Sequence, residues 1–398
     1  MNIALISAGY PPYKYGGIDV QSYDLAHALA DEKVNVTVYC GYSKNPVNTV
    51  ENEYLNVTRL PFRDIIPRNL WFQLQNKSLF KDQLSKFDLV HTQHSSGSIY
   101  GLLKNRVGKP WVVSFHDHEV RRLLMLFNSK PWTQSPGDVA FYAVGFPIFS
   151  VFTKTELNNA DHYIACGLTG YKDYVDFSNI DNSKTTLIPN SIHLDKIQKA
   201  AKAYEETDQP VEKKDLTIFT CGRLFTSKGI QYLIMAMPEV LKQNPKVHLN
   251  IFGQGPLRPQ LEKLIRTLGI ENNVKLQGYA SYERLMYELQ QSDLTVFPSL
   301  IEVGASLAIM EAMASHKTVI AFKYPFILEV IEHQKTGYLV PPKDVKALAR
   351  AINLLLSDKQ LRNKIGDNAH QKIVKDHNWK NNVKKYIQVY SQMINTKR

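Results

Sequence analysis

A glycine-flanked pair of cations lies in the second half of the chain, between an apolar run and a helical pattern. The stretch reads Gly222-Arg223-Leu224-Phe225-Thr226-Ser227-Lys228-Gly229. At the carboxyl edge of a parallel strand, a glycine-rich turn into a helix gathers free N–H groups and the positive end of the helix dipole. Arg223 and Lys228 add two positive charges. An arbitrary Arg/Lys pair is usually a pair of solvated surface cations, but this placement predicts an anion-binding turn.

Two carboxylates flank a small-residue loop further along the chain. Glu302 lies in the loop that follows Pro298-Ser299-Leu300, and Glu311 lies inside an apolar helical segment beside Met310 and Met313. A carboxylate in such a segment is costly unless it accepts hydrogen bonds. Ligand hydroxyls would supply these bonds, and so would a buried ion pair with Arg or Lys. The sequence leaves both interpretations of Glu311 open.

Alternating strand and helix patterns position these groups. Apolar or alternating runs predict strands near residues 3–6, 34–38, 89–90, 111–113 and 163–165, and a second series near 217–219, 247–251, 274–276, 294–297 and 319–321. Strands that alternate with helices predict doubly wound parallel sheets. The turn Gly253-Gln254-Gly255-Pro256 follows one of these runs and lacks the G-x-G-x-x-G spacing of a dinucleotide site. A polar stretch at 200–214 has the composition of an interdomain linker.

Composition restricts the class of protein. The chain has 398 residues, of which 44% are hydrophobic and 21% charged, which suits a globular protein with two cores. It contains no apolar run of membrane-spanning length and no signal-peptide pattern at its start, so we expect a cytoplasmic protein. The three cysteines are far apart and show no CxxC spacing, which argues against a disulfide framework or a structural zinc site.

The net charge of +11 is unevenly distributed. Residues 1–180 carry 17 basic and 16 acidic side chains, whereas residues 181–398 carry 31 and 21. A basic balance points to nucleic acid, anionic membrane or phosphorylated small molecules as partners. The cations are spread among acidic neighbours without interleaved aromatic residues, so nucleic acid ranks low among these partners.

The motifs, taken in order, resemble those of the family 4 retaining glycosyltransferases. The second half carries Gly222-Arg223…Lys228-Gly229, Gly253-x-Gly255-Pro256, Gly278-Tyr279, Pro298-Ser299-Leu300 and Glu302…Glu311-Ala312-Met313-Ala314. The first half carries Pro11-Pro12…Gly16-Gly17, Asp88-Leu89-Val90-His91-Thr92-Gln93-His94, Val113-Ser114-Phe115-His116-Asp117 and Leu187-Ile188-Pro189-Asn190. The resemblance covers nearly the whole chain.

The resemblance implies a GT-B fold, an α/β architecture in which two Rossmann-like doubly wound domains face a central cleft. Residues 1–199 would form the acceptor-binding domain and residues 215–378 the donor-binding domain, with 200–214 as the linker between them. The amphipathic segment 379–398 would cross back to the first domain as a helix.

The resemblance also implies roles for particular residues. Arg223 and Lys228 would hold the diphosphate of a nucleotide-sugar donor, and Glu311 would bind its ribose hydroxyls. Glu302 would hold the transferred sugar, and His116 would lie over that sugar near the reacting carbon. A histidine satisfied by backbone at a strand end is an equally good interpretation of His116. The implied donor-binding positions are Gly17, Gly222, Gly253, Gly255, Gly304, Ala305, Ser306, Leu307 and Glu311.

The loop before Glu311 departs from the family pattern. The family separates its two glutamates by seven residues, whereas eight lie between Glu302 and Glu311, and Val303 is the matching position. Ser306 stands where the family has glycine, and Gly304 comes two places earlier. Either the loop has one extra residue and Glu302 still reaches the sugar, or the enzyme holds its sugar by other means. We favour the extra residue.

The expected reaction moves a hexose from a UDP- or GDP-linked donor to an acceptor hydroxyl in glycoconjugate or cell-surface polysaccharide synthesis. The chain has no Asp-x-Asp, so we expect no metal and no other cofactor, with Arg223, Lys228 and helix N-termini balancing the phosphate charge. The acceptor would be a glycan or lipid-linked molecule. Two other classes remain to be tested, a nucleotide-sugar epimerase and, ranked lower, a nucleic-acid-binding protein.

An apolar region of the first half bears on the acceptor. It begins with Arg121-Arg122-Leu123-Leu124-Met125 and continues through the aromatic run at 141–149. Core helices are the favoured interpretation, because apolar runs in a large domain usually lie inside it. The alternative is a patch that contacts lipid head groups through Arg121 and Arg122, which would place the N-terminal domain peripherally at the inner membrane face.

Overall fold

Two sheets, one in each of two units, organise the chain. The computed structural model describes residues 1–12, 16–43, 47–62, 68–93, 96–116, 150–151, 153–178, 180–206, 215–300 and 306–396. Contacts divide the chain into a first unit, Met1–Ser191 with Trp379–Arg398, and a second unit, Ile192–Asn378. Strands alternate with helices in both units, which confirms the predicted α/β class with two Rossmann-like sheets.

The first unit contains an eight-stranded sheet in the order β3-β4-β2-β1-β5-β6-β7-β8. Its strands are β1 (Asn2–Ile6), β2 (Asn35–Ser43), β3 (Val47–Asn52), β4 (Leu55–Pro61), β5 (Leu89–Gln93), β6 (Trp111–Phe115), β7 (His162–Ala165) and β8 (Thr185–Leu187). All neighbouring pairs are parallel except β3 and β4, which run antiparallel.

Both faces of this first sheet are covered. Ile3 and Leu5 of β1 belong to one buried cluster, and Ala4 and Ile6 belong to another. Successive strand residues point to opposite faces, so a sheet buried on both sides needs continuous apolar runs rather than alternation. The described helices between its strands are α1 (Gly17–Asp31), α2 (Arg68–Gln75), α3 (Lys77–Gln83), α4 (Ser98–Val107) and α5 (Leu168–Ser178).

The second unit contains a six-stranded parallel sheet in the order β11-β10-β9-β12-β13-β14. Its strands are β9 (Thr217–Cys221), β10 (His248–Phe252), β11 (Val274–Gly278), β12 (Leu294–Phe297), β13 (Val319–Phe322) and β14 (Tyr338–Val340). Its described helices are α6 (Leu194–Glu205), α7 (Ile230–Gln243), α8 (Arg258–Leu268), α9 (Tyr282–Gln291), α10 (Leu307–Ala314), α11 (Val345–Ser357) and α12 (Lys359–Asp376).

The boundary between the units differs from the sequence expectation. The first unit ends at Ser191 rather than at residue 199, and most of the described part of the expected linker forms the end of α6. Ile197, Ala200 and Ala201 are buried in a cluster that also contains Met286 of α9. These three residues form a narrow apolar stripe at helical spacing, and the charged residues around them gave the segment the composition of a linker.

The C-terminal segment forms α13 (Trp379–Thr396), which belongs to the first unit. Trp379, Tyr386 and Tyr390 are buried in the same cluster as Leu25 of α1 and Val36 of β2. The helix therefore completes one face of the first sheet. Across the described helices of both units, none has the length and apolar composition needed to cross a membrane.

Each sheet has a point where the direction of the strand order reverses. In the second sheet the chain runs from β9 outward through β10 to β11, then returns to β12 on the other side of β9. In the first sheet the same reversal separates β1 from β5. Ligands of open α/β sheets bind at the carboxyl ends of the strands that flank such a point.

Candidate functional site

A concavity of about 90 Å³ lies at the reversal point of the second sheet. We call it the switch-point concavity. It is bounded by the ends of β9 and β12, by Lys228 and by the start of α10, and its lining residues are Thr220, Cys221, Gly222, Lys228, Ile230, Phe297, Pro298, Ser299, Ser306 and Ala308. The expected anion-binding turn therefore borders a pocket formed within one unit.

The turn from Gly222 to Gly229, here called the switch loop, is held in one conformation by its backbone. Residues Thr226–Lys228 form a single turn of 3-10 helix that ends at Gly229, whose φ of 67° is left-handed. A Cβ at Gly229 would lie 1.9 Å from the carbonyl oxygen of Pro298. The Leu300 N–H also donates to the Ser227 carbonyl over 2.8 Å. Only glycine allows the loops after β9 and β12 to approach so closely.

The Gly253-Gln254-Gly255 turn supports the switch loop from the neighbouring strand. A Cβ at Gly253 would lie 1.9 Å from the Gly222 carbonyl oxygen, and one at Gly255 would lie 2.4 Å from that of Leu224. The Leu224 N–H donates to the Gln254 carbonyl over 2.9 Å. Gly253 and Gly255 are expected donor-binding residues, and their nearest neighbours in the structure are backbone atoms of the switch loop.

The two cations of the switch loop have different surroundings. Lys228 is half-buried and lines the switch-point concavity. Arg223 is exposed, and its guanidinium carbon lies 5.1 Å from the centroid of the Phe225 ring, within the range of a cation–π contact. Arg223 is absent from the described lining residues, so Lys228 is the cation that the structure brings to the pocket wall.

The N-terminus of α10 also borders the concavity. Ser306 is the N-cap, and its carbonyl accepts from the Met310 N–H over 3.0 Å, but its side chain makes no capping hydrogen bond. The N–H groups of a first helical turn have no partner within the helix, and the dipole makes that end positive. Ser306, Leu307 and Glu311 all lie on or at this helix, with Glu311 half-buried in its second turn.

Several expected site residues cannot be placed. Glu302, Gly304 and Ala305 lie outside the described residues, as do Arg121, Arg122 and the aromatic run at 141–149. Cys221 and Thr220, which line the concavity, did not emerge from the sequence as site residues. The feature that could have identified them is their position at the end of β9, beside the reversal point. None of the three cysteines forms a disulfide; Cys40 and Cys166 are buried and Cys221 is half-buried.

The first unit holds the remaining candidates at the carboxyl edge of its own sheet. His116 directly follows β6, is 3% exposed, and lies 2.9 Å from the side-chain oxygen of Gln93 at the end of β5. Gly17 begins α1, next to the N-cap Gly16, whose N–H donates to the Asp19 carboxylate over 2.8 Å. Within the described part of both units, no cluster of three or more His, Cys, Asp or Glu side chains is arranged to hold a metal ion.

Comparison with known families assigns the chain. Residues 203–372 match the family described as glycosyl transferases group 1, and residues 15–196 match glycosyltransferase family 4. Together the two matches cover most of both units. The chain belongs to the group 1/family 4 glycosyltransferases. This confirms the resemblance found in the motifs and establishes that the chain is a glycosyltransferase.

Relatives of this glycosyltransferase match it over nearly its whole length. An uncharacterized glycosyltransferase of Methanocaldococcus jannaschii is 27% identical over 402 residues, which cover 98% of each chain. Among solved structures, sucrose-phosphate synthase of Thermosynechococcus elongatus superposes with a TM-score of 0.82 at 23% identity, covering 99% of each chain. Anabaena HepE in complex with UDP-glucose gives 0.69 at 18% identity, covering 100% of this chain and 99% of that one. At these identities the structural likeness establishes the fold alone.

Proposed function

We propose that this glycosyltransferase moves a hexose from a UDP- or GDP-linked donor to the hydroxyl of a glycan or lipid-linked acceptor, with retention of configuration and without a metal. The product would be a glycoconjugate or a cell-surface polysaccharide. The observation that carries the proposal is the pairing of Lys228 with the start of α10 around one concavity at the reversal point. The complex of the similar Anabaena protein with UDP-glucose supports a nucleotide-sugar donor.

The size of the switch-point concavity limits what it can hold. Pockets for a whole ligand measure about 300–1,000 Å³, whereas this one measures about 90 Å³. We infer that it receives one phosphate group of the donor. The Lys228 ammonium and the first-turn N–H groups of α10 would surround that group with positive charge and hydrogen-bond donors. Ser299 and Ser306 also line the concavity.

The charge distribution suits the breaking of a glycosidic bond to phosphate. As the bond between the sugar carbon and the phosphate oxygen lengthens, negative charge grows on the diphosphate, and fixed cations stabilise it. Lys228 and Arg223 would supply these charges. The acceptor hydroxyl would attack from the face that the phosphate leaves, and its proton would pass to the leaving phosphate oxygen. Bond breaking and bond making on one face would retain the configuration of the sugar.

Other roles are proposed from the family resemblance. Glu311, half-buried on α10, would accept hydrogen bonds from the ribose hydroxyls of the donor. Glu302, Gly304, Ala305 and Ser306 would hold the transferred sugar. His116, at the edge of the first sheet, would act near the reacting carbon.

Substitution of the two cations tests the proposal. We expect Lys228→Ala and Arg223→Ala each to lower kcat/KM for transfer by about 100-fold or more, because removal of one such contact typically costs about 3 to 4 kcal/mol. Calorimetric titration with UDP and GDP should show weaker binding. Lys242→Ala is the matched control, because Lys242 lies near the far end of α7, is 72% exposed and pairs with Glu239. Full activity of either site variant would contradict the proposal.

A lipid-linked acceptor would require contact with a membrane surface. Flotation of the protein with vesicles that contain anionic lipid, at low salt, tests this part of the proposal. A lipid-linked acceptor predicts co-flotation that is lost at high salt, since contact through Arg121 and Arg122 would be electrostatic. Failure to float at low salt would favour a glycan acceptor free of lipid.

A further inference from the structure

Two buried side chains meet at the carboxyl edge of the first sheet. Gln93 is the last residue of β5 and is 2% exposed, and His116 directly follows β6 and is 3% exposed. The strands are parallel neighbours with Gln93 opposite Ser114, so His116 lies one pleat further along the same face. The Nε2 atom of His116 lies 2.9 Å from the Oε1 atom of Gln93.

This hydrogen bond defines the tautomer of the imidazole. An amide oxygen can only accept a hydrogen bond, so Nε2 of His116 must carry the proton that it shares with Gln93. In the neutral ring, Nδ1 is then the basic nitrogen. The nitrogen that a histidine uses in chemistry is set by the partner of its other nitrogen. The bond to Gln93 therefore keeps the proton on Nε2 and leaves Nδ1 as the basic nitrogen of the neutral ring.

A second hydrogen-bonded pair, His91 of β5 with Ser114 of β6, lies one pleat deeper on the same two strands. Nε2 of His91 lies 2.7 Å from Oγ of Ser114, and its Nδ1 lies 2.7 Å from the hydroxyl of Tyr390 on α13. Burial lowers the pKa of His91 to about 3, so this ring is neutral at ordinary pH. These hydrogen bonds link β5, β6 and α13, and the neutral His91 ring adds no positive charge beneath His116.

We propose that Gln93 is the positioning residue of His116 in the transfer reaction. The inference rests on the proposed function, because it assumes that His116 acts on the donor sugar or the acceptor. Gln93 holds the imidazole through Nε2 and does not itself contact substrate. Its contribution is realised only through His116.

A double-mutant cycle separates this role from simple packing. Gln93→Met keeps the length of the side chain and removes the acceptor oxygen. We expect kcat to fall by about 10- to 100-fold, the size of the effect when the hydrogen-bond partner of a metal-bound histidine is removed, with the Kd for UDP unchanged. In the His116→Ala background the same change should lower kcat by less than about 2-fold, because the residue through which Gln93 acts is gone.

A matched control removes a comparable partner elsewhere in the sheet. His162 is 5% exposed at the start of β7, and its Nε2 lies 2.9 Å from Oγ1 of Thr186. The His162–Thr186 pair lies at the amino end of β7, away from the carboxyl edge that carries His116. Thr186→Val should therefore leave kcat unchanged. Nitrogen NMR of histidine-labelled protein gives an independent measurement. The His116 signals, assigned by their loss in His116→Ala, should show a protonated Nε2 in the wild type and a tautomer mixture in Gln93→Met.

The outcomes are distinguishable. A loss in Gln93→Met that persists in the His116→Ala background, or a wild-type His116 protonated on Nδ1, would overturn the positioning role. If His116→Ala transfers sugar normally while Lys228→Ala does not, the inference fails and the proposed donor site stands. If Lys228→Ala is also fully active, the proposed function itself has failed.

Discussion

Replacement of Gly229 by alanine would test whether the close approach of two loops creates the switch-point concavity. Gly229 ends the switch loop with a φ of 67°, and a Cβ there would lie 1.9 Å from the carbonyl oxygen of Pro298. Ordinary van der Waals contact begins near 3.4 Å, so the two loops would have to separate by roughly 1.5 Å. Pro298 and Ser299 line the concavity together with Lys228, so this separation would deform the pocket itself.

Two effects contribute to the expected magnitude. The left-handed backbone costs an alanine roughly 1–2 kcal/mol relative to glycine at any such position. The backbone clash adds to this cost, and a misplacement of about 1 Å in a reacting site can lower the rate by roughly 100-fold. We therefore expect Gly229→Ala to lower kcat/KM by about 100-fold and to destabilise the second unit by more than the left-handed cost alone.

Gly269 supplies the control for this prediction. It follows α8 with a φ of 65°, and a Cβ there would meet nothing within 4 Å. Gly269→Ala should cost only about 1–2 kcal/mol in the free energy of unfolding and leave transfer unchanged. Urea unfolding and steady-state kinetics of both variants provide the comparison. Equal stability losses together with normal activity in Gly229→Ala would refute the argument from close approach.

Four further results are expected. Affinity for UDP should fall as salt rises from 0.05 to 0.5 M, because half-exposed Lys228 is screened, and titration calorimetry would show this. EDTA should leave the transfer rate unchanged in a radiolabelled-sugar assay. Inhibition by EDTA that is reversed when a divalent cation is added would contradict metal-independent charge balance. Since burial lowers the pKa of His91 to about 3, the unfolded chain gains a proton below about pH 6.5 that the folded unit does not. The free energy of unfolding should therefore decrease as the pH is lowered from 6.5 to 3, by up to about 1.4 kcal/mol per pH unit. The slope should be smaller in His91→Gln. A chain that ends at Asn378 should lose the cooperative unfolding of its first unit, because α13 covers one face of that sheet.

The sequence predicted most of the strands, because each of these shows a short apolar or alternating run. It missed β3, whose residues are all exposed at the sheet edge, the neighbouring β4, and β8 and β14, which have only three residues each. The sequence also missed α6, whose apolar stripe is hidden among charged residues and becomes visible only through its packing on α9.

The candidate site was predictable to the extent that its chemistry is local. The switch loop carries its glycines and cations in one continuous stretch, so Lys228 and Gly229 could be recognised without a structure. The contact between Gln93 and His116 depends on the pairing of β5 with β6, and no local pattern encodes that register. The support that Gly253 gives to Gly222 likewise depends on the neighbouring position of β9 and β10.

A crystal structure of the protein with bound UDP would test the central claim most directly. The account predicts that a phosphate oxygen lies within hydrogen-bonding distance of the Lys228 ammonium and of a first-turn N–H group of α10, inside the switch-point concavity. A diphosphate bound away from both groups, with the concavity filled by solvent, would contradict it.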